Sequence, residues 1–164
     1  MKTSKVFLGS DHGGFRHKAA LKQFLNQKDI KFIDLGNVIN DPNDDYPDFS
    51  KKVAEQVAKA KKAKGVLFCG SSLGSCITAN KFKGVRAVSV RTVREAELAR
   101  QHDDANIICL AGGDTVTKGQ NIGLNVSEMK KIVNTFLTTD FSAKPRHKRR
   151  VDKIKKIENR NFKK

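Results

Sequence analysis

The chain has 164 residues, 38% hydrophobic and 30% charged, a balance that suits one globular domain and excludes a disordered or fibrous protein. Its formal charge is +16, from 33 Lys and Arg against 17 Asp and Glu. No apolar run approaches the roughly 20 residues of a membrane helix, and the stretch around Val6-Phe7-Leu8 is too short for a secretion signal, so a cytoplasmic protein is expected.

Strand and helix patterns alternate along the chain. Lys5 to Gly9 predicts a first strand, and Phe15, Ala19, Leu21, Phe24 and Leu25 follow at helical spacing. Phe32 to Leu35 predicts a second strand, then a polar loop from Asn37 to Asp48 that carries Pro42 and Pro47. Phe49, Val53, Val57 and Ala60 predict a helical face. Gly65-Val66-Leu67-Phe68-Cys69 is the clearest buried strand, with a turn over 70–74 and a helix over 75–82. Val85 to Val90 predicts a fourth strand, Glu95 to Gln101 a helix, and Asn106 to Leu110 a fifth strand. Ile122, Val126, Met129, Val133 and Phe136 share one face of a long helix. Beyond Lys144 the chain is basic, and Val151, Ile154 and Ile157 give it an apolar helical stripe suited to docking, with a neighbouring subunit able to supply the surface. Five strands interleaved with helices imply an α/β domain with a mostly parallel sheet, whose sites gather at the carboxyl ends of the strands. Residues 1–143 are expected to form the main body and 144–164 a basic tail and helix of the same domain.

The basicity alone would suit nucleic acid. Yet Lys outnumbers Arg 24 to 9, with no Trp and one Tyr, so base-reading guanidinium forks and stacking platforms are scarce. Nucleic acid is therefore not an expected partner. Cys69, Cys76 and Cys109 cannot all pair, and no C-x-x-C motif points to zinc, so free thiols and no metal are expected.

The strand ends carry the chemistry. The first strand runs into Ser10-Asp11-His12-Gly13-Gly14, either a carboxylate and imidazole facing a ligand or a polar turn capped by Asp11. The third runs into Cys69-Gly70-Ser71-Ser72-Leu73-Gly74. Backbone N–H groups of such a turn form an anion pocket, which would favour a thiolate and could hold a reacting oxyanion. Gly70-Ser71-Ser72-Leu73-Gly74 also matches the G-x-S-x-G elbow of serine hydrolases, with Ser72 as nucleophile, although the chain is short for that fold. Phosphatase, Walker and dinucleotide loops fail for lack of their required residues. His102 lies just before the fifth strand and is expected at the edge where sites form. Arg146 and Arg150 are four apart, so a helix would place them on one face as a phosphate fork.

In order, Gly9-Ser10-Asp11-His12-Gly13-Gly14-Phe15, Asp45-Tyr46-Pro47, Cys69-Gly70-Ser71 with Gly74, Ala79-Asn80-Lys81, Gly84-Val85-Arg86-Ala87, Arg100-Gln101-His102 with Asn106, and Arg146-His147 with Arg150 resemble the family of type B ribose-5-phosphate isomerases and galactose-6-phosphate isomerase subunits. The resemblance implies a Rossmann-like three-layer α/β/α fold with a five-stranded parallel sheet. It implies a cofactor-independent aldose–ketose isomerase acting through an enediolate, in a homodimer or homotetramer whose subunits share each site. On this resemblance Cys69 is the proton-transfer base and Ser71 steadies the enediolate with the 70–74 backbone. His102 opens the sugar ring. Asp11, His12, Tyr46, Gly70, Ser72, Gly74 and Asp103 contact the sugar, and Arg146, His147 and Arg150 hold the phosphate. Ribose 5-phosphate is the expected substrate, with galactose 6-phosphate the alternative. The chain departs from the family pattern at Ser72, at Asp103 and at Ala111-Gly112-Gly113-Asp114-Thr115, which lacks the usual Arg and has Lys118 nearby. Arg91 and Arg94 after the fourth strand are a further difference.

Overall fold

A computed structural model describes residues 5–113 and 122–162. Five parallel strands, β1 (Val6–Ser10), β2 (Phe32–Asp34), β3 (Lys64–Cys69), β4 (Ala87–Ser89) and β5 (Ile107–Ala111), form one sheet in the order β2-β1-β3-β5-β4. The helices are α1 (Phe15–Gln27), α2 (Tyr46–Lys59), α3 (Leu73–Ala79), α4 (Val93–Asp103), α5 (Val126–Thr138) and α6 (Pro145–Asn161). The central strands are buried throughout, as the unbroken apolar runs of a sheet covered on both faces require.

Side chains alternate between the two faces. Val6, Leu8, Val66, Phe68, Ile108 and Leu110 pack with Leu21 and Leu25 of α1, Ala96 of α4, and Met129, Ile132, Val133 and Phe136 of α5. Phe7, Leu67, Ile107 and Cys109 pack instead with Val53, Ala54 and Val57 of α2 and Ala79 of α3. The result is a Rossmann-like α/β/α sandwich. The edge strands β2 and β4 have three residues each.

Several boundaries differ from the sequence expectation. The polar loop ends at Asp45, because Pro47 falls in the first turn of α2, where its missing N–H costs nothing. Helix α3 begins at Leu73, so Ser72 is its N-cap and Gly74 lies inside it. Strand β4 is confined to Ala87–Ser89. Ile122 precedes α5 and is 39% exposed, because the helix starts only where Asn125 caps Ser127 N–H. On α6, Val151 is buried, whereas Ile154 and Ile157 are exposed on the single chain. The expected docking of that stripe therefore finds no cover within the described residues.

Candidate active site

Strand β1 pairs with β2 on one side and with β3 on the other, so the order in which successive strands are laid down reverses at β1. That is where open α/β sheets leave a crevice. Ser10 pairs with Phe68 and Cys69 with Ala111, which brings the ends of β1, β3 and β5 together. The contact is backbone on backbone: a Cβ on Gly112 would collide with Gly13 O, and only glycine permits that approach. Gly112 N–H and Gly113 N–H donate to Cys69 O and Gly70 O at 2.9 and 3.0 Å, carrying the pairing past the strand ends.

Cys69 is buried at this edge. Asp11 is also buried, and its Oδ1 has no hydrogen-bond partner. It caps the following 3-10 turn, His12–Gly14, only by position, with no side-chain bond. Burial, with the nearby charge of Asp44, lifts its carboxyl to about 6, against the pull of His12. An unpartnered buried acceptor is costly, and a ligand hydroxyl would satisfy it.

His12 is fixed by a residue that the sequence left unmarked. Asp44 Oδ1 accepts from His12 N–H at 2.8 Å and lies 2.6 Å from His12 Nδ1. Asp44 Oδ2 accepts from Asn37 Nδ2 at 2.9 Å, and Asn37 Oδ1 accepts from Ser10 Oγ at 2.9 Å. Burial weakens the charged imidazole, but the Asp44 bond and the charges of Asp11 and Asp44 outweigh it and hold His12 above the usual histidine value. No spacing rule links residues 32 apart, so only the fold exposes Asp44. Asp11, His12 and Asp44 each offer a donor atom within 4.8 Å of the others, a grouping that a divalent cation could use.

The β3 turn meets α2 at Tyr46. A Cβ on Gly74 would run into the Tyr46 ring, so glycine there lets the phenol lie over the first turn of α3. Ser71 and Gly70 are half-buried on the same turn. Ser72 adopts φ 71°, left-handed backbone that favours glycine. Its buried hydroxyl bonds to Ser71 O and lies 2.6 Å from Ser89 Oγ, with no imidazole on it among the described residues. The serine-hydrolase reading of this turn fails there, because the Ser72 hydroxyl is buried and engaged by Ser71 and Ser89.

The other expected site residues lie elsewhere. His102 and Asp103 end α4, ahead of β5, and so sit at the amino edge of the sheet rather than the carboxyl edge. A parallel strand puts its own length, about 13 Å for β5, between that edge and Cys69. The sequence expectation for His102 is corrected on this point: a residue just before a strand is at the wrong end for the crevice. His102 instead meets His147, ring centroids 4.1 Å apart. His147 is buried between Ser142 Oγ, 2.7 Å from its Nδ1, and Arg146, whose Nε donates to its Nε2 at 2.9 Å. Burial and the adjacent His102, Arg146 and Arg150 lower its basicity. Arg146 and Arg150 are exposed on one side of α6. Thr115 and Lys118 lie outside the described residues.

All three cysteines are free. Cys76 and Cys109 are neighbours: the Cys109 thiol donates to Cys76 and lowers it to about 7, while burial pushes Cys109 up. No described helix is long and apolar enough to cross a membrane.

Comparison with known proteins agrees with this geometry. The ribose/galactose isomerase family model matches residues 6–154. A probable ribose-5-phosphate isomerase B of Mycoplasma genitalium is 44% identical over 93% of this chain and 95% of its own. The ribose-5-phosphate isomerase B of Mycolicibacterium paratuberculosis is 37% identical over 94% and 91%. The crystal structure of ribose-5-phosphate isomerase B from M. genitalium with bound ribulose-5-phosphate superposes with a TM-score of 0.87 at 41% identity, covering 97% of this chain and 99% of that one. The chain belongs to the ribose/galactose isomerase family and is an isomerase.

Proposed function

We propose that the chain interconverts ribose 5-phosphate and ribulose 5-phosphate through an enediolate, at the crevice between β1 and β3. The observation that carries this is the placement of a buried thiol, Cys69, and an unpartnered buried carboxyl oxygen, Asp11 Oδ1, at the carboxyl ends of the paired strands β3 and β1, the switch point of the sheet. A ribulose-5-phosphate complex of a 41% identical isomerase supports the choice of sugar.

Isomerisation needs a base beside C2 and donors for the oxygen that gains charge. The Cys69 thiolate takes the proton from C2 and returns it to C1. Ser71 and the N–H groups of the 70–74 turn stabilise the enediolate. The hydroxyl proton on O2 passes to O1, leaving the ketone at C2. Asp11 receives a sugar hydroxyl, with His12 and Tyr46 beside it, and no cofactor takes part.

His102, Asp103, Arg146, His147 and Arg150 lie at the far edge of the same chain, so they serve a second copy. A twofold pairing brings the far edge of one subunit to the Cys69 edge of the other. There His102 opens the furanose ring, and Arg146 and Arg150 fork onto the phosphate with His147 behind them. Leu73 and Ile77, exposed on α3 beside the crevice, and Ile154 and Ile157 on α6 supply apolar contact. Three free thiols suit a reducing cytoplasm. A coupled assay on ribose 5-phosphate and on hexose 6-phosphates tests the substrate: turnover of the pentose ester is expected to exceed the hexose esters at least tenfold, and the reverse order refutes the reading.

A further inference from the structure

One cation beside the turn after β1, Arg16, is not used by the chemistry above. His12, Arg16, Asn40 and Pro42 line one cavity between the start of α1 and the loop that follows β2. Arg16 is exposed and forms no ion pair among the described residues. His12 has its backbone N–H and its Nδ1 engaged by Asp44, which leaves Nε2 as its open nitrogen. Asp44 lies on the Nδ1 side of the ring, with its second oxygen taken by Asn37, and Asp11 is the other carboxylate close by. No carboxylate lines the cavity itself. An unpaired guanidinium, an open imidazole nitrogen and an amide around one cavity are the chemistry of an anion site.

Its position suits the far end of the substrate. The cavity lies on the β1–β2 side and Cys69 ends β3, the next strand across. Strands stand about 4.8 Å apart, so one to two strand spacings separate the thiol from the cavity. A sugar chain with its first carbons at Cys69 and a phosphate at its other end covers such a span. The described turn after β5, Gly112-Gly113, offers no cation of its own. We infer that Arg16, with His12, forms a phosphate subsite contributed by the subunit that also carries Cys69, facing the Arg146/Arg150 pair of the second copy. This rests on the isomerase reading above for the identity of the sugar, but the anion chemistry of Arg16 stands on the cavity.

Arg16→Gln and Arg16→Lys test it in the full-length protein, with Arg94→Gln, an exposed residue paired to Glu97, as the control for lost charge. Two quantities are read: affinity for inorganic phosphate alone by calorimetry, and kcat and KM on ribose 5-phosphate. Arg16→Gln is expected to weaken phosphate about tenfold and raise KM about tenfold, one decade of affinity, with kcat within about twofold. Arg16→Lys keeps most of the affinity, and Arg94→Gln changes neither quantity. Phosphate affinity and KM both within about twofold of the parent in Arg16→Gln, or a fall in kcat alone, overturns the assignment. A parent protein that binds phosphate through Arg16 yet leaves ribose 5-phosphate unconverted keeps the subsite and overturns the choice of sugar.

Discussion

The two edges of the sheet are built by opposite means. At the amino edge long basic side chains answer backbone carbonyls among the described residues. Lys64 Nζ donates to Leu137 O at 2.8 Å, and Arg100 reaches Thr139 O, Ala105 O and Asp104. Arg86 forks onto Asp104 at 2.7 Å. These bonds close the carboxyl ends of α4 and α5, whose last carbonyls have no partner in their own helices. At the carboxyl edge the backbone does the joining, through Gly13 and Gly112, and a buried carboxyl oxygen is left open. Satisfied polar groups hold a fold together, and an open one waits for a ligand. His102 is the exception on the satisfied edge: its one described side-chain partner is the ring of His147.

The sharpest way to break this contrast is Cys69→Ala. Removing the proposed base should lower kcat about 10³-fold while circular dichroism and substrate binding stay near those of the parent. Near-normal turnover would return Cys69 to a packing role.

Mixing Cys69→Ala with Arg150→Ala protein joins the two edges directly. If each site draws on both, random exchange leaves half the dimers mixed and one of their two sites intact, about a quarter of parental activity. No recovery, with exchange confirmed by mass spectrometry, would mean that each subunit's tail serves its own crevice.

His102→Asn should slow furanose substrates by about ten- to a hundredfold and an open-chain analogue much less. Equal losses on both would make the ring a structural partner of His147.

The smallest effect concerns Asp11. Its folded carboxyl, raised to about 6, keeps a proton that the unfolded chain releases near 4. The fold therefore loses stability as pH rises from about 4 to about 6. Asp11→Asn should stabilise the ligand-free protein at pH 7 by about 1 kcal/mol, after allowing for solvent screening, and by nothing below about pH 4. Urea melts at both pH values check this; a destabilised variant at pH 7 would place a hidden cation beside the carboxylate.

The sequence carried the sheet well because a strand covered on both faces is a continuous apolar run, as in Gly65 to Cys69. It placed the turns after β1 and β3 at the crevice for the same reason, since strand ends follow from strands. It misread Pro47 as loop, because proline in a first helical turn looks like proline in a loop until the helix after it is seen. It put His102 at the wrong edge because nearness in sequence to a strand does not say which end is near. Asp44 left no trace at all: its role depends on a loop folding back onto a turn 32 residues earlier. Ser72 was legible as a departure, but only the left-handed φ explains why glycine suits that position.

The three-residue strands β2 and β4 bound the sheet on either side. So short a rim offers few free backbone groups for another chain to extend. Growth of the sheet from one molecule into the next, the route by which many α/β proteins form continuous intermolecular sheets or fibrils, is closed off at both margins. Any contact between copies is then left to helices and loops, a seam of side chains open to adjustment residue by residue.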